Sequence, residues 1–128
     1  MADELLAAVE REVLGWPGVT RELAQGGPVE GGFWVPPATV YRLGRRHLGH
    51  IHEGGVADLT LPRAICDELI ASGRAEPHGA GFPGVVSYRL RAPEDVPGAI
   101  ALFRLSYDRA RESAERRGAL PAGRANAP

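Results

Sequence analysis

At 128 residues and a formal net charge of −1, the chain fits one domain able to bury its own core, with no general attraction for a nucleic-acid backbone. The only cysteine, Cys66, rules out an intramolecular disulfide, and the acidic start Met1-Ala2-Asp3-Glu4 is unlike a signal peptide. No apolar run approaches the roughly 18 to 20 residues that span a bilayer, and all 15 residues in the lysine-plus-arginine count are arginine, which removes lysine Schiff-base chemistry. The expectation is a cytoplasmic protein with no membrane partner, and with nucleic acid disfavoured as a partner.

Leu5, Leu6, Val9 and Val13 recur at helical spacing, so a first helix is predicted from Asp3, its candidate N-cap, to Leu14, stopped by Gly15-Trp16-Pro17-Gly18. Val19 to Leu23 reads as a short strand. The glycines and prolines from Gly26 to Gly32 predict a flexible connection leading to Phe33-Trp34-Val35, in which Trp34 is a candidate lid. Thr39 to Leu43, Arg46 to His52 and Val56 to Leu59 read as an antiparallel meander, turning at Gly44-Arg45 and at Glu53-Gly54-Gly55. Pro62 to Ser72 is a second helix, with Pro62 as its first residue and Gly73 as its stop. Ala75 to His78 and Val85 to Leu90 form another strand pair. A last helix runs from Glu94, with Val96, Ile100, Phe103 and Tyr107 on one stripe, and frays near Arg117-Gly118. The order α-β-β-β-β-α-β-β-α predicts an α+β fold, an antiparallel sheet with three helices on one face. Residues 1–117 are read as one domain, and residues 118–128, rich in alanine, proline and glycine, as a disordered tail.

Chemistry concentrates in the meander. His50 and His52 are two apart in a strand and share a face, while His47 is expected to point the other way. A three-residue loop, Glu53 to Gly55, would set His50 opposite Asp58, whose carboxylate would then orient His50 and favour its protonated form; a two-residue loop would break that pairing. Arg63, opening the second helix, and His78, ending the later strand, are candidates for the same cleft. A His-x-His pair with a distant histidine or carboxylate is also a possible divalent-metal ligand set. Against these stand ordinary readings: solvated strand histidines, an aspartate capping the next helix, and a core position for Trp16. Cys66 reads as a buried structural thiol. There is no Gly-x-Ser-x-Gly elbow, and the glycine-rich run Gly79 to Gly84 joins two strands and opens no helix, so it is no nucleotide loop.

Gly49-His50-Ile51-His52-Glu53-Gly54-Gly55-Val56-Ala57-Asp58, then Leu61-Pro62-Arg63, Ala75-Glu76-Pro77-His78 and Leu105-Ser106-Tyr107, together resemble the luciferase-domain family of small bacterial and fungal proteins. The resemblance runs from about Leu14 to Arg109. It implies a small-molecule-binding domain, by analogy with fungal enzymes that oxidise a hydroxylated hispidin with molecular oxygen and no added cofactor. By the same resemblance, His50, His52, Asp58, Arg63 and His78 are the catalytic candidates of a cofactor-independent oxygenase acting on an enolic or phenolic substrate. The competing reading is a non-catalytic module that binds a ligand, a metal or a protein through the same histidine-rich face.

Overall fold

The computed structural model describes residues 2–30, 32–79 and 81–118. Leu5, Val9 and Val13, four apart, are all buried, which gives helix α1 (Ala2–Val13) its packing stripe. Asp3 lies inside the first turn of α1, where its charge suits the helix N-terminus, and not at the N-cap. Helix α2 (Arg63–Ala71) begins one residue later than expected, because Pro62 has extended backbone (ψ 145°) and is the N-cap. Helix α3 (Val96–Arg116) follows a single 3-10 turn at Pro93–Asp95 and ends where fraying is expected. None of the helices among the described residues is long and apolar enough to cross a membrane.

Strands β1 (Val19–Ala24), β4 (Ala38–Leu43), β5 (Arg46–His52), β6 (Val56–Thr60), β8 (Val85–Arg89) and β7 (Glu76–Pro77) form one antiparallel sheet in that spatial order. The fold is α+β, in the element order expected, with one addition. The stretch expected to be a flexible connection instead forms a two-stranded hairpin, β2 (Gly27–Val29) with β3 (Phe33–Val35), and Trp34 is exposed on it. Val29 before the Glu30-Gly31-Gly32 stretch and Phe33, Trp34 and Val35 after it are strong strand formers, which accounts for this. The tail predicted to be disordered lies, beyond Gly118, outside the described residues.

Because side chains alternate across a strand, the ladder separates two faces. Tyr41, Gly49, Leu59 and Val86 lie side by side on one face, and Val40, His50, Asp58 and Ser87 lie side by side on the other. The first row meets the helices: Tyr41 packs edge-on to Phe103 of α3 at 5.5 Å between ring centroids, and Leu59 and Val86 share one apolar cluster with Leu69 and Cys66 of α2 and Val9 of α1. Trp16 belongs to the same cluster, its ring 5.3 Å from that of Tyr107. Cys66 is buried and its thiol donates to the Leu61 carbonyl at 3.4 Å, as a structural cysteine would. The second row faces away from the helices and carries the polar groups.

Two local irregularities fix what that second row presents. The turn between β5 and β6 is the three-residue Glu53-Gly54-Gly55 loop, closed by the Gly55 N–H donating to the His52 carbonyl at 3.0 Å, and the resulting register sets His50 opposite Asp58. Gly55 has a φ of +93° and stands so close to Leu90 that a Cβ would come within 2.7 Å of its carbonyl oxygen, so only glycine fits this corner. The second irregularity is a bulge: Tyr41 pairs with Gly49 but Arg42 pairs with His47, leaving Leu48 as an extra residue in β5. The Ser106 hydroxyl of α3 donates to the Leu48 carbonyl at 2.8 Å and anchors the bulge to the core.

Candidate functional site

The bulge inverts the alternation before Gly49, so His47 lies on the same face as His50, contrary to the expectation from regular alternation. All four histidines of the chain therefore belong to one patch on the helix-free face. At its centre is Asp58, whose side chain is only 4% exposed. Its Oδ2 lies 3.1 Å from His50 Nε2, 3.1 Å from His52 Nε2 and 3.7 Å from His78 Nε2. Its Oδ1 accepts a hydrogen bond of 2.6 Å from the Ser87 hydroxyl, contributed by β8 at the position opposite Asp58.

The outer nitrogens of the rings are also engaged. His52 Nδ1 lies 3.2 Å from the Pro36 carbonyl, and His50 Nδ1 lies 3.0 Å from His47 Nε2. His47 Nδ1 in turn meets the Thr60 hydroxyl at 3.5 Å. A carbonyl and a carboxylate both accept, so His52 satisfies both neighbours only by donating from both nitrogens, as an imidazolium. Its pKa is accordingly raised, chiefly by the hydrogen bond to Asp58, against the opposing effect of burial. Burial pushes Asp58 upward, but the hydrogen bonds from His50, His52 and Ser87 outweigh it and hold the carboxyl well below its usual range. His47 is lowered to about 4, first by burial and then by the charges of His50 and Arg42, and is neutral at physiological pH.

These shifts predict a stability optimum near neutrality. His47 is depressed, so its contribution is complete above the ordinary value of 6.5 and is lost as the pH falls from 6.5 toward about 4. Asp58, also depressed, adds a further loss as the pH falls below 3.8 toward its folded value. His52 is raised, so its contribution is complete below 6.5 and is lost as the pH rises through its folded pKa. Thermal melts of the metal-free protein should decline on both sides of this optimum. His47→Gln should flatten the acid limb between pH 6.5 and 4, and an unchanged limb would count against the assignment.

Beside the cluster opens a cleft of about 320 Å³ lined by His52, Asp58, His78, Pro36, Glu76 and Arg89, among others. Of the residues singled out from the sequence, His50, His52, Asp58 and His78 come together. Arg63 does not join them: it is exposed at the start of α2 and lines a separate cleft of about 200 Å³ on the other side of His78, with Asp67 and Phe82. Trp34 is not among the residues lining the histidine cleft. Sequence reasoning missed His47, Ser87 and the Pro36 carbonyl. For His47 a signal was present, since Leu48 and Ile51 are both apolar yet an odd number of residues apart, which a regular one-sided strand does not allow.

Residues 45–106 match the family model described as Luciferase domain. Over this segment, just under half of its length, the chain is similar to the luciferase-domain family. No curated protein and no solved structure matches the chain. The matched segment starts in the turn before β5 and ends within α3, so it contains all four histidines, Asp58, Arg63, Ser87 and Ser106. Helix α1, β1 and the β2–β3 hairpin lie outside it, although Pro36, just after that hairpin, supplies the carbonyl that orients His52.

Proposed function

We propose that this chain binds a small enolic or phenolic molecule as its anion, in the cleft beside Asp58, and presents it to molecular oxygen. The observation that carries the reading is the convergence of three imidazoles on one buried carboxylate in the cleft wall. The His52 cation at the cleft wall favours, by its charge, a ligand that becomes negative on binding. In this reading His78, which lines the cleft with its Nε2 3.7 Å from Asp58 Oδ2, accepts the ligand's hydroxyl proton. His52, the imidazolium held between Pro36 and Asp58, stabilises the resulting enolate, and Asp58 serves as the positioning residue for both. Arg63, facing the neighbouring cleft, has no part in this step. The electron-rich enolate carbon is then the atom that oxygen meets, with oxygen as the oxidant.

The test is a thermal-shift panel of polyphenols and pyrones against their O-methylated analogues, followed by oxygen-uptake measurements on any compound that binds. A free-hydroxyl compound should raise the melting temperature and its methyl ether should not, and His78→Ala and His52→Ala should each abolish the shift. Equal stabilisation by the methyl ether, or no response from any member of the panel, would remove the basis for an enolate site.

A further inference from the structure

The geometry points to a divalent first-row transition-metal site in this cluster, with His50 Nε2, His52 Nε2 and Asp58 Oδ2 as ligands and His78 standing just outside the trio. This deepens the reading above and rests on the same cleft being the working site, with the bound cation taking the place of protonated His52 as the charge that stabilises the enolate. Four donors around an ion at bond lengths of roughly 2.0 to 2.1 Å stand about 3.3 Å apart when tetrahedral. The three histidine nitrogens lie 3.1, 3.1 and 3.7 Å from Asp58 Oδ2, and the donor atoms of His50, His52 and Asp58 all fall within 4.8 Å of one another. The cluster thus has the spacing of a ligand shell while its members still bond to one another.

The partners of those side chains support the assignment independently. A histidine that ligates through Nε2 carries its proton on Nδ1 and needs an acceptor there. His52 Nδ1 has the Pro36 carbonyl at 3.2 Å, and His50 Nδ1 has His47 Nε2 at 3.0 Å. The carboxylate is held in the same manner, since Ser87 occupies Oδ1 and leaves Oδ2 turned toward the imidazoles. The β5 bulge thereby gains a purpose: without it, His47 would point to the opposite face and His50 would lose its acceptor. Two imidazoles with one carboxylate suit zinc, iron, cobalt or nickel better than magnesium or calcium, which prefer all-oxygen shells. One carboxylate on a divalent ion leaves a net positive centre beside the cleft, able to take an enolate oxygen as a further ligand.

The experiment is a titration of untagged, chelator-treated full-length protein with Co²⁺, read by visible d–d absorption, bound-metal analysis and melting temperature, and repeated with Zn²⁺, Fe²⁺, Mn²⁺ and Ni²⁺. We expect one equivalent bound, a four- or five-coordinate cobalt spectrum and a higher melting temperature. His50→Ala and His52→Ala should each remove the spectrum. Ser87→Ala, which keeps every ligand, should retain the spectrum but weaken affinity by about 10- to 100-fold. Circular dichroism on each variant separates a lost site from a lost fold. Absence of stoichiometric binding by any of these ions, or cobalt binding that survives both histidine variants, overturns the proposal. Running the phenolic panel on metal-free and metal-loaded protein separates it from the reading above. Ligand stabilisation together with no stoichiometric metal binding sinks the metal site alone; metal binding with no ligand response in either form sinks the enolate reading alone.

Discussion

Asp58→Asn should leave the chain folded while removing the charge on which the site depends. If Ser87 keeps its bond to the amide oxygen, the new NH₂ group faces His50 and His52, and both rings can answer with an unprotonated Nε2. Their protons then move to Nδ1, where the Pro36 carbonyl and His47 Nε2 already stand as acceptors. Every polar group finds a partner, but only with the cluster neutral. Protonating His52 in the folded variant is therefore unfavourable, whereas in the parent protein it is favoured by Asp58. The cost of the substitution should depend on pH: about 2 to 4 kcal/mol near pH 5.5, where a charge-assisted hydrogen bond is lost, and under about 1 kcal/mol at pH 8. Denaturant melts at the two pH values measure this directly. The decline of stability above neutrality should vanish in the variant, together with the response to phenolic ligands and to Co²⁺. A cost that is the same at both pH values would mean that Asp58 stabilises the fold through packing and that no proton or metal is held there.

Much of this site was legible in the sequence, for identifiable reasons. The register that sets His50 opposite Asp58 is the one a three-residue loop gives, the first of two loop lengths that the sequence left open, and loop length determines strand pairing. The helices were legible because their apolar stripes are buried where the 3.6-residue period places them, as with Leu5, Val9 and Val13. Long-range pairing was not legible. Ser87 reaches Asp58 only because β8 lies beside β6 across an intervening helix and β7, and no local pattern encodes which strands become neighbours. Arg63 was misplaced for a related reason: a position next in sequence to the Asp58 strand says nothing about which side of His78 the helix will enter. The bulge was the subtler loss. Alternation is a reliable guide until one residue is inserted, and the insertion inverts every side chain on one side of it, here carrying His47 from the helix face to the site.

Gly49→Val should be the most damaging single change on the opposite side of the same strand. A Cβ at Gly49 would stand 2.6 Å from Leu59 Cδ1, 2.8 Å from Phe103 Cε1 and 3.0 Å from the Asp58 carbonyl oxygen. The two side-chain tips can retreat only into a filled core, since Leu59 and Phe103 are both fully buried, and the carbonyl belongs to the paired strand itself. Overpacking of this kind costs about 3 kcal/mol, which for a domain of this size lowers the melting temperature by about 10 °C. Phe103→Leu should make room, so the double variant should be more stable than the sum of the two single losses predicts; strict additivity would show that the crowding lies elsewhere. The damage should also reach the site. Gly49 is the residue between the bulge and His50, and Ser106 of the same helix as Phe103 holds the Leu48 carbonyl at 2.8 Å. Pushing β5 away from α3 strains that bond and relaxes the bulge, so His47 should lose its contact with His50 in the folded fraction. Histidine NMR at a temperature where the variant is still folded would detect this as a His47 pKa moving up from about 4 toward 6.5. A variant that kept both its stability and the depressed His47 would show that the bulge does not depend on close contact between β5 and α3.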